Sequence, residues 1–569
     1  MRYHVLACDY DGTLATRGQV DAGTLASLDR LRGSGRKLIL VTGRQLPDLM
    51  EVFPRLDLFD RVVAENGALL YTPSDRTERT LAEPPPEAFV TALRRREVRP
   101  LGVGRVIVAT WRPEESAVLE TIRELGLELQ VIFNKGAVMV LPSGVNKASG
   151  MDAALAELRI SRHNAVGIGD AENDHAFLAR CECAVAVANA LAPVKERADL
   201  VTAAARGAGV VELIDRMLAC DLADLAPRLE RHLIPLGEAG ENEEVRIPPY
   251  GVNVLLAGTS GSGKSTFATG VLERLSERGY QFCIIDPEGD YDGFEGAVVL
   301  GDGTRAPLVK EAIDLLDRPD RNGVVNLLAL GLDERQAFFD ELFAALLELR
   351  SRSGKPHWIV IDETHHLLPA KWSPTPRTPA KTPHGLMLIT VHPDQVGREA
   401  LSWVDLAVAI GESPAETLGG FAAALGESTP PVGTAPLATG EAVAWWRHPE
   451  RTPVRFRSIP PRSERRRHLR KYAEGELGDN SFYFRGPEAR LNLRAQNLQI
   501  FLQIADGVDD ETWTWHLRNG DYSRWFREKI KDRSLADEAE RIEQAAELSP
   551  RESRARLRKR VEERYTGSA

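Results

Sequence analysis

The sequence predicts an α/β protein with two parallel sheets, the first carrying an inserted α/β cap, followed by a small, mainly helical region. Short apolar strands alternate with amphipathic helical segments over residues 1–78, and the same rhythm returns over 146–215. A second series of apolar strands and helical segments runs through 246–460. Strands that alternate with helices predict parallel sheets with helices on both faces. At 569 residues, the chain is also too long for a single hydrophobic core.

Changes in this pattern set the predicted boundaries. Pro-rich, Arg-rich and β-rich stretches interrupt the first series, and aromatic residues at helical spacing predict a small core near the C-terminus. That last region ends in a predicted charged helix, Leu535–Tyr565, and the Pro-rich stretch Pro369–Pro383 is predicted to be a loop. The predicted regions are, in order, a first core at 1–78 and 146–215, its cap at 79–145, a linker at 216–245, a second core at 246–460, a basic linker at 461–477 and the helical region at 478–569.

Composition and charge are those of an ordinary soluble protein. Hydrophobic residues make up 43% of the chain and charged residues 27%, and no stretch reaches the ~18 consecutive apolar residues of a membrane span. There is no signal-peptide pattern and no CxxC pair among the 5 cysteines, so we expect reduced thiols, no membrane contact and a cytoplasmic location. The net charge of −11 argues against a protein coated in nucleic acid. The basic cluster Arg462–Lys471 is interpreted as a solvated linker helix.

Four polar signals follow the ends of strands in the first series. The first strand runs into DYDGT, which places carboxylates at Asp9 and Asp11 on the same side of the strand. Thr42 ends the next strand, Lys147 follows the cap, and the segment GDAEND at 169–174 follows a later strand. Because the carboxyl ends of parallel strands line one crevice, we expect all four signals to converge at one site.

These residue types suit the cleavage of a phosphate monoester, which needs charge neutralisation and a buried nucleophile. Asp9 would attack phosphorus to form an aspartyl-phosphate, and Asp11 would act first as an acid and then as a base. Thr42 and Lys147 would hold the phosphoryl oxygens, and Asn173 would orient Lys147 or the metal shell. Mg²⁺ prefers oxygen ligands, and its predicted ligands are Asp9, the backbone carbonyl of Asp11, Asp170 and Asp174.

The motif set resembles the haloacid dehalogenase (HAD) superfamily over residues 1 to about 215. The cap between the Thr42 and Lys147 motifs, and the segment ENGA at Glu65–Ala68, resemble subgroup IIB, with its Cof-like, phosphoglycolate and sugar phosphatases. The resemblance implies a Rossmann-like core and a Mg²⁺-dependent phosphatase for a small phosphate ester. Asp11 favours a phosphatase, because the dehalogenases of the superfamily lack this second Asp.

The second series opens with GTSGSGKS between a strand and a helix, which fits the P-loop pattern GxxxxGK[ST]. The backbone amides of such a loop and the helix N-terminus cradle phosphates. Lys264 would reach the β and γ phosphate oxygens, and Ser265 would bind Mg²⁺. The predicted ATP-binding residues are Gly258, Ser260, Gly261, Ser262, Gly263, Lys264, Ser265 and Thr266.

A later strand, Trp358–Ile361, ends in the acidic pair Asp362 and Glu363. Asp362 would hold Mg²⁺, and Glu363 would serve as the base for an attacking water. A kinase does not need to activate water, so the pair predicts ATP hydrolysis.

Two further segments resemble the HerA/FtsK group of hexameric motor ATPases over roughly residues 230–460. They are IIDPEGDY at Ile284–Tyr291 and GLMLITVHPDQV at Gly385–Val396, in the position of the group's sensor strand. The group places a Gln near the end of that strand, whereas this chain has Thr390 and His392 there. The resemblance implies a RecA-like fold and a homo-oligomer, with a hexamer as one form. Arg398 is one candidate for an arginine finger.

Two hypotheses from different classes follow. In the first, a phosphatase for a small ester is fused to an ATPase that drives assembly, regulation or movement. In the second, the ATPase moves DNA or RNA, and the phosphatase processes nucleotides or the phosphate ends of polynucleotides. Polynucleotide kinase–phosphatases also pair these two folds, but Glu363 and the HerA-like segments argue against that reading.

Overall fold

The computed structural model describes residues 1–240, 243–372, 383–433, 435–447, 451–462, 477, 481–530, 532–545 and 547–566. The chain forms two compact units, Met1–Ile459 and Pro460–Ala569. Among the helices of the described residues, none is long and apolar enough to cross a membrane. Most of the basic cluster Arg462–Lys471, and most of the predicted loop Pro369–Pro383, lie outside the described residues.

Eight described strands form the first sheet of the larger unit. They are β1 (Val5–Asp9), β2 (Lys37–Val41), β3 (Arg61–Ala64), β4 (Leu69–Thr72), β5 (Thr77–Thr80), β10 (Ala165–Gly169), β11 (Cys183–Ala186) and β12 (Leu200–Val201). Their order is β12-β11-β10-β1-β2-β3-β4-β5, parallel as far as β3 and antiparallel beyond it. The helices of this region are Ala22–Gly33, Leu46–Val52, Lys147–Leu158, His175–Arg180, Ala192–Arg197 and Arg206–Cys220. The predicted parallel core is confirmed.

The central strand β1 is buried along its whole length, as its sequence VLACD requires. It pairs with β10 on one side, where Val5 lies opposite Ala165, and with β2 on the other, where Val5 lies opposite Lys37. The carboxyl ends of these three strands therefore lie side by side.

The inserted cap is a four-stranded antiparallel sheet with two helices. Its described strands are β6 (Gly102–Val103), β7 (Val108–Trp111), β8 (Leu129–Asn134) and β9 (Ala137–Pro142), in the order β6-β7-β9-β8, and its helices are Glu87–Arg95 and Glu115–Glu124. The two faces of this sheet differ. Val108, Val138 and Val140 pack into the cap's own core, whereas Met139 and Leu141 pack with Ala68 of the first core. The alternation along each strand therefore separates a helix-facing side from a side that faces the first core.

Eleven described strands form the second sheet. They are β13 (Ile234–Ala239), β14 (Glu243–Ile247), β15 (Val254–Ala257), β16 (Phe282–Asp286), β17 (Ala297–Leu300), β18 (Asn322–Asn326), β19 (Trp358–Ile361), β20 (Leu386–Thr390), β21 (Leu406–Ile410), β22 (Glu441–Trp446) and β23 (Val454–Ser458). Their order is β14-β13-β23-β22-β21-β15-β20-β19-β16-β18-β17, parallel from β21 to β17. The helices are Lys264–Glu277, Val309–Leu316, Leu332–Ser353, Thr364–Leu367, Arg398–Ser402 and Pro414–Leu425. β20 thus separates the P-loop strand β15 from β19, which carries the acidic pair.

The two sheets of the larger unit meet at the amino ends of their strands. Asn164, just before β10, contacts His357, just before β19, with 3.2 Å between Oδ1 and Nε2. His163 stacks on Tyr280 with ring centroids 3.8 Å apart, and Tyr280 donates a hydrogen bond to Glu182 at 2.8 Å. Because ligand crevices lie at carboxyl ends, this contact leaves both candidate sites open.

The smaller unit is mainly helical, as predicted. Its hairpin pairs β24 (Phe482–Phe484) with β25 (Leu493–Ala495), and its helices are Leu498–Gly507, Asp510–Arg518, Asp521–Trp525, Arg533–Gln544 and Pro550–Val561. Phe484, Trp513 and Trp525 are buried in one cluster, so these aromatics form a core, as expected. The prediction of a single charged helix at Leu535–Tyr565 is wrong. One helix ends at Gln544, and a second begins at Pro550, where Ser549 caps it.

Candidate active sites

The end of β1 carries the first acidic cluster. Lys147 is buried at the start of a helix, and its Nζ donates to Asp9 Oδ1 at 2.5 Å and to Asp174 Oδ1 at 2.6 Å. Asp174 Oδ2 accepts from the backbone N–H groups of Asp170 and Ala171 at 2.8 and 2.9 Å. Asp174 therefore both pairs with the lysine and fixes the loop after β10.

Three carboxylates of this cluster lie close enough to share a cation. One oxygen from each of Asp9, Asp170 and Asp174 lies within 4.8 Å of the others, and all three residues are buried. Burial and the neighbouring Asp174 raise the pKa of Asp9 to about 7, against the opposing effect of Lys147. Burial also acts to lower the pKa of Lys147, but Asp174 and Asp9 outweigh it, so that this pKa is raised. The lysine is charged, and the cluster favours further positive charge.

The cap contributes a second cation to the cluster. Lys135, in the turn between β8 and β9, donates to Asp170 Oδ2 at 2.8 Å and to the Asp11 carbonyl at 3.2 Å. Gly12 makes this approach possible: a β-carbon there would lie 2.4 Å from Asp170 Oδ2, and its φ of +94° is in the left-handed region.

Asp11 lies at the cavity rather than in the buried cluster. Arg44 donates two hydrogen bonds to the Asp11 carboxylate, from Nε at 2.6 Å and from Nη2 at 2.8 Å. Arg44 also donates to Asp48 at 2.6 Å. Such bidentate pairs fix orientation as well as charge, and Asp11 is consequently held in one position.

Thr42 and Asn173 reach the same region through different contacts. Thr42 is buried, and its Oγ1 accepts from the N–H of Arg44 at 3.1 Å, which leaves its own proton for another acceptor. Asn173 lines the cavity, but its Nδ2 donates to Asn66 Oδ1 at 3.0 Å rather than approaching Lys147. Its Oδ1 is buried without a hydrogen-bond partner in the described part of the chain.

The ENGA segment joins the cap to the first core. Glu65 is buried, and its carboxylate accepts three hydrogen bonds at 2.8–2.9 Å from the backbone N–H groups of Arg105, Val106 and Ile107 in the cap. Gly67, with φ +105°, lies where a β-carbon would fall 1.9 Å from the Asn146 carbonyl. The segment fixes the cap over the acidic cluster.

The second candidate site forms at the end of β15. The P-loop turns through Gly261 and Gly263, both with positive φ, and a helix begins at Lys264. Lys264 donates to the Thr259 carbonyl at 3.1 Å. Burial lowers its pKa, while the charges of Glu363 and Asp362 act to raise it. The loop and the acidic pair from β19 thus share one site.

The acidic pair differs in its surroundings. Burial raises the pKa of Asp362 to about 7. The pKa of Glu363 is also raised, mainly by burial and then by the negative charge of Glu288. The Glu363 backbone is left-handed at φ +40°. Its Oε2 atom is buried, makes no hydrogen bond to the residues that the structure describes, and lies 3.4 Å from His365 Nδ1. A half-buried carboxylate with a raised pKa and an oxygen that no hydrogen bond occupies has the properties of a base.

Neighbouring segments support this pair. Asp286 ends β16, and its carboxylate accepts from the N–H groups of Gly289 at 2.8 Å and Tyr291 at 2.9 Å, which fixes the IIDPEGDY turn. At the sensor position, Thr390 Oγ1 contacts His365 Nδ1 at 3.2 Å. Arg398 donates to the Leu425 carbonyl at 2.9 Å, so in this chain it ties two neighbouring helices together.

Sequence reasoning missed three residues of the first site: Arg44, Lys135 and the carboxylate role of Glu65. The sequence signal for Arg44 was its position two residues after Thr42, which places it near the same strand end. Lys135 had a weaker one, a Lys-Gly turn between two apolar strands. Nothing in the sequence places that turn over Asp170, because the approach depends on how the cap packs.

Two parts of the chain are similar to known proteins. The family described as haloacid dehalogenase-like hydrolase matches residues 6–92 and 116–214, and the central domain of helicase HerA matches residues 253–361. A phosphoglycolate phosphatase of Methanothermobacter thermautotrophicus is 30% identical over 222 residues, covering 37% of this chain and 98% of the relative. That of Halorubrum lacusprofundi is 31% identical over 35% of this chain and 90% of the relative. Phosphoglycolate phosphatase 2 of Saccharolobus solfataricus is 29% identical over 38% and 92%.

The fold and the first acidic cluster define a hydrolase core that is fused to a P-loop domain of HerA type. Through its N-terminal part, the chain belongs to the haloacid dehalogenase-like hydrolase family.

Proposed function

We propose that the chain is a Mg²⁺-dependent phosphatase that works through an aspartyl-phosphate and carries a second, ATP-hydrolysing site. The observation that carries the first activity is the convergence of Asp9, Lys147, Asp170 and Asp174 at the end of β1 and beside the cavity under the cap. The relatives reported above are phosphoglycolate phosphatases, which supports a phosphatase here and makes phosphoglycolate the first ester to test.

The acidic cluster fits a divalent cation. Its three carboxylates face only two lysines, Lys147 and Lys135, among the described residues that contact them. Asp9, Asp170 and the Asp11 carbonyl would hold Mg²⁺, with Asp174 close by, and the ion would neutralise and orient the bound phosphate. Lys135 occupies Asp170 Oδ2 and the Asp11 carbonyl, so it would move aside when the ion binds.

The residues of the chain would carry the reaction in two steps. Asp9 attacks phosphorus, the ester P–O bond breaks, and Asp11 gives a proton to the leaving oxygen. Asp11 then takes a proton from water, which attacks the aspartyl-phosphate and releases phosphate while regenerating Asp9. Lys147 and the Thr42 hydroxyl hold the phosphoryl oxygens through both steps.

The second site would bind ATP and hydrolyse it. The P-loop amides and Lys264 would hold the phosphates, Ser265 and Asp362 would hold Mg²⁺, and Glu363 would take the proton of the attacking water. The Glu363 Oε2 atom, which accepts no hydrogen bond from the described residues, supports that role. We further propose that the protein is cytoplasmic and forms a homo-oligomer. The predicted linker 216–245 is wrong at its C-terminal end, because β13 and the start of β14 lie within it and belong to the second sheet.

One experiment tests both activities on the full chain. ATP hydrolysis, with and without single- and double-stranded DNA, and release of phosphate from an ester panel are measured for wild type, Asp9→Asn and Lys264→Ala. We expect Asp9→Asn to abolish ester hydrolysis alone and Lys264→Ala to abolish ATP hydrolysis alone. Ester hydrolysis that survives Asp9→Asn would overturn the phosphatase proposal. Stimulation of ATP hydrolysis by DNA would favour the nucleic-acid motor over a metabolic phosphatase.

A further inference from the structure

A large cavity lies between the first core and the cap. Its volume is about 610 Å³, and it reaches from Asp9 and Lys147 to Trp111 in the cap. Pockets of 300–1,000 Å³ suit ligands as large as drug molecules. A two-carbon phosphate ester would leave most of this space to water.

The cap side of the cavity is built from alternate strand positions. Ala109 and Trp111 on β7 share one face of the sheet, and Trp111 pairs with Ala137 on β9. Two of these three cavity-lining side chains are as small as a methyl group and leave room beside the indole, and Met139 lines the cavity two residues further along β9.

Trp111 presents an exposed indole beside the phosphate site. Its side chain is 53% exposed, although large apolar side chains gain by burial. Its ring carbons Cε3 and Cζ3 would lie 3.7 Å from a β-carbon at Gly136, so the indole rests against the turn that carries Lys135. The ring and the acidic cluster therefore border one cavity.

Asn134 adds an unpaired acceptor to the same wall. Its Oδ1 is buried and without a hydrogen-bond partner among the described residues, and the residue lines the cavity. An unsatisfied buried acceptor is costly unless a ligand or water supplies a donor.

We infer that the phosphatase site takes nucleoside phosphates. The base stacks on Trp111, and a hydroxyl or exocyclic amine of the nucleoside donates a hydrogen bond to Asn134 Oδ1. This inference rests on the proposed phosphatase function and names its substrate class. A flat heteroaromatic ring matches an exposed indole, which binds bases through stacking whatever their sequence. The source is either a free nucleotide or a 5′-phosphorylated strand end, which the exposed rim at Trp111 leaves room to extend.

Kinetics on the full chain test this with Mg²⁺ and four substrates: phosphoglycolate, ribose 5-phosphate, adenosine 5′-monophosphate and a 5′-phosphorylated oligonucleotide. We expect kcat/KM to be highest for one of the two nucleoside phosphates. Trp111→Ala should lower that value about 10-fold through KM, Trp111→Phe should restore part of it, and ribose 5-phosphate should be unaffected. Asn134→Leu should also raise KM for the nucleoside phosphates.

Phe133→Ala is the matched control. Phe133 is 40% exposed and follows Ile132 on β8, so it lies on the opposite face of the cap sheet, where Arg112 packs over its ring. This variant should leave all four values unchanged.

The outcomes separate the inference from the function beneath it. If phosphoglycolate or ribose 5-phosphate is the best substrate in an Asp9-dependent reaction, or Trp111→Ala lowers all four values equally, the nucleoside assignment is overturned and the phosphatase stands. If no ester is hydrolysed, the phosphatase proposal fails, and calorimetric binding of adenosine monophosphate to Asp9→Asn decides the assignment. Binding that Trp111→Ala weakens would support it, and no binding would end it.

Discussion

Lys147 shows how one buried cation organises the first site. Two carboxylates contact its ammonium group, and their charges keep its pKa raised despite burial. A buried charge is tolerated only with such partners, since removing one costs about 3–5 kcal/mol. The lysine thus bridges Asp9 and Asp174, beside the loop that carries Asp170.

Arg44 gives a prediction at this scale. Arg44→Gln should lower kcat for the best ester by about 10- to 100-fold, because Asp11 would lose its bidentate partner and its fixed orientation. KM should change less, since Asp9 and Lys147 remain. Steady-state kinetics with saturating Mg²⁺ measure both constants.

Arg55→Gln is the control, because Arg55 forms an exposed pair with Asp57 and such pairs contribute little. If Arg44→Gln raised KM and left kcat unchanged, the arginine would bind substrate instead of positioning Asp11.

Individual residues were predictable where a motif and a strand end coincide. Asp9 and Asp170 follow apolar strands, and parallel pairing brings such ends together whatever the details of packing. Asn173 shows the limit of this reasoning. Its position near the site follows from the loop, but its partner Asn66 comes from a distant segment whose approach depends on Gly67.

At the scale of elements, Glu65 acts as a strut between the first core and the cap. Its carboxylate accepts three hydrogen bonds from backbone N–H groups in the turn before β7, so charge-assisted bonds hold this turn of the cap against the first core. Gly104 belongs to this contact, because a β-carbon there would lie 2.5 Å from Glu65 Oε1.

Replacing this strut should loosen the cap. Glu65→Gln puts an amide donor against N–H donors, which should cost about 1–3 kcal/mol locally. We expect faster hydrogen exchange at the amides of residues 105–107 and a higher KM for the ester. Exchange mass spectrometry of the full chain follows those amides directly.

Glu78→Gln provides the comparison, since Glu78 pairs with Arg105 in a solvent-exposed contact. Equal hydrogen-exchange rates at residues 105–107 in wild type and Glu65→Gln would show that Glu65 does not hold the cap against the first core.

Elements were predictable where pattern is local, and less so where order depends on the whole sheet. Strands such as β1, β15 and β19 follow from short apolar runs. β13 (IPLGEA) and β14 (EEVRI) lack such a run, and β13 lies inside the predicted linker 216–245. The placement of β20 between β15 and β19 does not, because parallel neighbours are chosen by crossovers that sequence spacing leaves open. The start of a new helix at Pro550 could have been predicted from the proline and the capping sequence Ser-Pro-Arg-Glu. The charged pattern on either side instead suggested one continuous helix.

At the scale of the larger unit, the two sheets meet through a buried polar cluster. Glu182 is its centre: it accepts from Arg2, from His163 Nδ1 at 2.8 Å and from Tyr280 at 2.8 Å. Asp170 and Asp362 follow the contact residues Asn164 and His357 by six and five residues. At about 3.3 Å per residue, each candidate site lies roughly 15–20 Å from the interface.

Glu182→Gln tests whether this cluster holds the sheets together. Burial acts to raise the pKa of Glu182, but His163 and Arg2 outweigh it and the pKa is lowered below the ordinary 4.5. A lowered folded-state pKa stabilises the protein above the unfolded value, and that contribution disappears as the pH falls below about 4.5. The variant should lose about 3–5 kcal/mol at pH 7, because Arg2 stays buried without its partner. Calorimetry should show a lower melting temperature at pH 7 and a difference in melting temperature from wild type that narrows below pH 4.5.

Glu244→Gln is the control, because Glu244 forms an exposed pair with Arg246, and it should match wild type at every pH. A difference for Glu182→Gln that stayed constant from pH 7 down to pH 3 would mean that the ionised carboxylate adds nothing beyond its shape, and that packing around Tyr280 joins the two sheets.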